Sequence, residues 1–158
     1  MPESSQTRNR TLRRIFAFIL AFGGLIGAAG SVLESIHLLR TGAASRAIGD
    51  GISLLLYAGS IYAGILLWKS AAPRSIALAF VSFLLQIPII SYKGVVYTFS
   101  TLLNVRLIFG DVNRHLLADL ASSSNIYYSP GQTVWMFGIN LVGVAGVCYL
   151  LWLARDKA

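Results

Sequence analysis

Apolar residues in this chain come in long runs, and the runs define the predicted elements. After a polar start, residues 15–39 are apolar almost throughout. At 1.5 Å per helical residue such a run crosses a hydrocarbon layer of about 30 Å. Further runs cover 48–68, 75–97 and 133–153. Residues 98–121 differ: Leu102, Val105, Phe109, Val112, Leu116 and Leu120 recur at steps of three and four, while Asn104, Asp111, His115 and Asp119 fall off that line. That spacing predicts an amphipathic helix on a membrane surface or capping a bundle. The expected fold class is an all-α integral membrane protein, a four-transmembrane-helix bundle with an extra amphipathic helix between spans three and four.

The connections fit that reading. Arg40-Thr41-Gly42 ends the first span, and Asp50 stands in the first turn of the second, where the helix dipole favours an acid. Ser70 to Arg74, stopped by Pro73, is a tight joint between antiparallel neighbours. In the third span Gln86-Ile87-Pro88 predicts a kink, with Gln86 as a polar neighbour to the carbonyl that Pro88 frees. Ser122 to Asn125 reads as a loop, and Tyr127, Tyr128 and Trp135 flank Pro130-Gly131 as interfacial anchors. Residues 1–14 read as a basic tail and 155–158 as a second tail. The basic start and the small residues 27–31 also fit a signal peptide, but the apolar run exceeds the usual h-region and resumes beyond them, so a retained anchor is preferred.

Charge changes the picture through its placement. The net charge is +7, yet the basic residues sit beside the apolar runs, as topology signals do, which argues against nucleic acid as a partner. Arginines of the tail, Lys69 with Arg74, and Arg155 with Lys157 outweigh the basic residues of the longer opposite segments, so both termini are expected in the cytoplasm at a cell inner membrane. One cysteine, Cys148, excludes an intrachain disulfide, a CxxC pair or a cysteine-based zinc site.

Candidate chemistry is sparse. Glu34, His37, Asp50, Lys93 and Asn140 all fall in the outer half of the expected bundle as ligand-binding or ion-pair candidates, with a Glu34–Lys93 contact as the sharpest expectation. Gly23, Gly27, Gly143 and Gly146 are helix-packing candidates. Asp111, His115 and Asp119 share a helical face, but three successive turns do not converge on one ion, so a solvated face is preferred and no metal is assigned. No cofactor is implied, and no catalytic motif is present. Helix number and size agree with small four-helix membrane families, but no signature stretch supports one of them. The expected function is a non-enzymatic membrane subunit or scaffold acting through glycine-lined helix faces, with the lipid bilayer and either a second copy or a larger membrane protein as partners. The alternative is a small homo-oligomeric transporter or lipid/solute-binding protein using Glu34, His37 and Lys93. An enzyme acting on lipid or quinone through Glu34 and His37 is the least supported reading.

Overall fold

The computed structural model describes residues 3–41, 44–111, 115–129, 131 and 133–156. Among them run α1 (Glu3–Thr41), α2 (Ala44–Lys69), α3 (Pro73–Gln86), β1 (Pro88–Tyr92), β2 (Val95–Ser100), β3 (Leu103–Gly110), β4 (His115–Leu120), β5 (Ser123–Tyr128), β6 (Met136–Asn140) and α4 (Leu141–Arg155).

Small residues set the helix packing. Gly24 lies against Tyr57 and Ile61, Gly27 against the Tyr57 ring, and Gly64 against Ala17 and Ala21, so the antiparallel pair α1–α2 closes to near backbone contact. On the second pair, Gly143 and Gly146 receive Phe83. The two pairs share a core of Ala17, Leu20, Leu67, Ala79, Phe83 and Leu150. Within it the Phe16 ring stacks on Tyr149 at 4.9 Å and meets Phe83 edge-on at 5.5 Å.

The six strands form one antiparallel sheet in the order β4-β3-β6-β1-β2-β5. β1 and β2 are joined by the two-residue turn Lys93-Gly94, with φ of 48° and 84°. Positive φ at both central residues is what a type I′ hairpin turn demands, and Gly94 meets it without strain. From the register, Thr98, Ser100, Asn104, Arg106, Asp119 and Asn140 share one face. Residues of that face from β1, β2, β3, β5 and β6 line one small space, so the sheet curls around its polar side.

This architecture corrects the all-α expectation. The third run ends as helix at Gln86; beyond Pro88, β-branched and aromatic residues make strands. Pro88 is therefore a helix stop and the first residue of β1, not a kink. The proposed amphipathic helix over 98–121 is the end of β2 with β3 and β4, and the supposed loop from Ser122 contains β5. The fourth run is a strand as far as Asn140, then a helix of 15 residues. Two stretches, Thr7–Leu38 and Ile48–Lys69, are long and apolar enough to cross a membrane by length and composition. At 14 and 15 residues, α3 and α4 reach only about 22 Å, short of a hydrocarbon core. A four-helix transmembrane bundle is thus ruled out, and the multi-pass inner-membrane localisation with both termini cytoplasmic loses the four spans on which its charge count rested. The basic tail, too, is helical from Glu3.

Candidate functional site

The structure scatters the predicted polar cluster. Glu34 on α1 and Asp50 on α2 come together beside β5, with Ser124, Asn125 and Tyr127 completing a cleft of about 100 Å³. Ser35 donates to the Asp50 carboxylate at 3.2 Å, and Ser53 and Ser124 share a hydrogen bond of 2.6 Å, so α1, α2 and β5 are tied at this point. His37, one turn on from Glu34, is exposed. Lys93 stands in the β1–β2 turn, its ammonium 5.2 Å from the centre of the Tyr92 ring, and forms no ion pair with Glu34. Asn140 lies elsewhere again. Fully buried, it caps α4 by accepting from the Val142 N–H at 3.1 Å, as the sequence of a strand running straight into a helix requires.

Gln86 has a role that the kink reading missed. Its Oε1 accepts from both the backbone N–H (3.1 Å) and the hydroxyl (2.9 Å) of Thr101, while Nε2 donates to the Ser82 carbonyl. One buried amide thus locks the end of α3 to the turn between β2 and β3. That turn also holds Leu102 at φ 55°, an uncommon conformation for a branched residue. The Ser122 hydroxyl accepts from Leu102 N–H at 2.9 Å and donates to the Gly23 carbonyl at 2.6 Å. A Cβ at Gly23 would collide with Leu102, so this glycine seats the sheet on α1. All four predicted packing glycines are filled by the chain itself, and none lies on a free face.

Inside the curled sheet the polar atoms are poorly matched. Arg106 pairs with Asp119 across β3 and β4. Both side-chain polar atoms of Asn104 and the Nδ2 of Asn140 are buried without a hydrogen bond beside a space too narrow for a water molecule, and one oxygen of Asp119 is likewise buried and unmatched. Asp111 accepts from the Trp135 N–H, well apart from Asp119 in its pairing, and the side chain of His115 lies outside the described residues. Among the described residues no group of three metal-ligating side chains comes together.

Two features were legible only in part. The first is a basic end. Because both helix pairs run antiparallel, Arg8, Arg10, Arg13 and Arg14 of α1, Lys69 of α2, Arg74 of α3 and Arg155 of α4 gather at the end remote from Glu34 and Asp50. Arg14 lies 5.3 Å over the Trp68 ring there, and burial among the helices pushes the Tyr149 phenol above its ordinary range. The second is the outward side of the helices, where Phe18, Phe22, Leu25, Leu33, Leu55 and Ile65 are all exposed. No family model matches the chain, and neither a curated protein nor a solved structure matches it.

Proposed function

We propose that the protein is a non-enzymatic interaction protein that meets lipid through the outer faces of α1 and α2 and carries the curled sheet beside them. The observation behind this reading is the apolar outer surface: Leu25 is 59% exposed, Leu33 70% and Leu55 75%. Soluble monomers rarely leave contiguous apolar patches larger than a few hundred Å² open to water, and each exposed leucine would gain about 1.5–3 kcal/mol on full burial. The basic end supports it further, because arginine and lysine flanked by Trp68 and Trp152 suit an anionic headgroup layer. The cleft at Glu34 and Asp50, at about 100 Å³, has room for a few water molecules only, which argues against a solute site there.

A direct test places a fluorophore at Leu25 or Leu55, with Cys148 replaced by serine, and reconstitutes the protein with lipids brominated along their chains. Quenching at both positions, and not at Asp156, is expected. Equal quenching of all three positions by aqueous iodide would overturn the reading.

A further inference from the structure

We infer that the groove between α3 and α4 seats an acyl chain of one anionic phospholipid, its phosphate held at the groove mouth by Arg74 and Arg155. The inference rests on the lipid-contacting reading above and adds to it a defined molecule with a defined headgroup charge.

The groove encloses about 820 Å³ between Ile76, Ala77 and Phe80 on α3 and Leu151 and Ala154 on α4, with Ser70 at its mouth. Its walls carry no charged side chain, so its body suits a hydrocarbon chain. The mouth is different. α3 starts and α4 ends there, which brings Arg74, next to the lining residue Pro73, and Arg155, next to the lining residue Ala154, to the same end. Lys69 closes α2 immediately before the connector. The Ser70 hydroxyl, which lines the groove and shares a hydrogen bond of 3.3 Å with the buried Ser75, adds a neutral polar group. Among the described residues neither arginine forms an ion pair; the pair found there is Arg106–Asp119, at the sheet. An apolar trough ending between two guanidinium groups is complementary to an amphiphile with a negative head, and guanidinium is the side chain best suited to phosphate. A zwitterionic lipid would bring its own cation against them.

The test is native mass spectrometry of the full chain in detergent, with phosphatidylglycerol or phosphatidylcholine of the same chain lengths added. One phosphatidylglycerol per chain should be retained and phosphatidylcholine lost. At about 1 kcal/mol per basic residue near an anionic head, the double variant Arg74→Gln/Arg155→Gln should retain phosphatidylglycerol roughly 20- to 30-fold less well. Ala77→Trp, which obstructs the groove, should abolish retention, whereas Lys93→Gln should behave as the parent chain. Circular dichroism confirms that each variant is folded, and the arginine variant, altered only at the surface, keeps the test valid should Ala77→Trp misfold. Equal retention of the two lipids, or unchanged retention by the arginine variant, overturns the inference. So does a dimer that Ala77→Trp converts to monomer, since a second copy would then cover the groove. If no lipid is retained while Leu25 and Leu55 are quenched by brominated chains, this inference alone fails; if those positions face water, the lipid-contacting reading fails with it.

Discussion

The α1–α2 pair and the curled sheet both turn apolar residues outward, but they close their inner sides by opposite means. Over most of their length the helices meet through small groups, Gly24, Gly27 and Gly64 against Tyr57, Ile61 and Ala21, with the Ser35–Asp50 hydrogen bond confined to one end. Inside the sheet the contact is made of Thr98, Ser100, Asn104 and Asn140, and Asn104 lacks partners for both of its polar atoms. The helix pair depends on shape and the sheet on hydrogen bonds. Substitutions that alter volume should therefore be severe in the first region and mild in the second, with polar changes following how well each group is matched.

The largest effect is expected at Gly27. Leucine there would overlap the buried Tyr57 ring, and overpacking of this kind costs about 3 kcal/mol. A fall in Tm of roughly 10 °C in detergent should follow for a chain of this size. A loss below 2 °C would show that the pair can spread, breaking the contrast. Gln86→Leu comes next, because it strands the N–H and hydroxyl of the fully buried Thr101; about 2 kcal/mol is expected from chemical denaturation. Removing the α4 cap with Asn140→Ala should cost about 1 kcal/mol. Asn104→Leu sharpens the comparison most, since it replaces an unmatched amide by a hydrocarbon of similar size and should leave stability unchanged or raise it by about 1 kcal/mol. A clear destabilisation would mean that the amide is hydrogen-bonded in solution.

The smallest effect is one of pH. Tyr97 donates its hydroxyl to the Leu85 carbonyl at 2.7 Å, and burial raises its pKa above the usual value near 10. The unfolded chain then releases this proton first, so the folded state binds more protons from about pH 10 upward and stability declines with rising pH. Tyr97→Phe should flatten that decline in melts recorded between pH 9 and 11, and an unchanged slope would rule Tyr97 out as its source.

The helical half of the molecule was legible because its signal was length. The runs 15–39 and 48–68 fall within α1 and α2, and Gly23 and Gly27 do pack, although against this chain's own Leu102 and Tyr57. The sheet was hidden by coincident periods. Leu103-Asn104-Val105-Arg106-Leu107 alternates strictly between apolar and polar, a strand pattern, while Leu102, Val105 and Phe109 also match helical steps. Two local signals could have decided it: β-branched residues on both sides of Lys93-Gly94, a hairpin signature, and Pro88 as a stop rather than a kink. The site residues scattered because their shared depth depended on four membrane spans lying side by side. Asn140, read as a polar group in mid-span, ended as a cap because the chain changes from strand to helix at that residue.

The strand order has a consequence for how the molecule is made. β6, the last of these six strands to leave the ribosome, lies in the middle of the sheet between β3 and β1. Until residue 140 emerges, the β1–β2 and β3–β4 hairpins each wait with an open edge, and the two halves of the sheet have nothing to join them. Assembly must then proceed through contacts far apart along the chain, which makes folding slow and leaves the nascent protein exposed to mispairing. A chain truncated before Met136 should therefore accumulate in aggregates, although it retains five of the six strands.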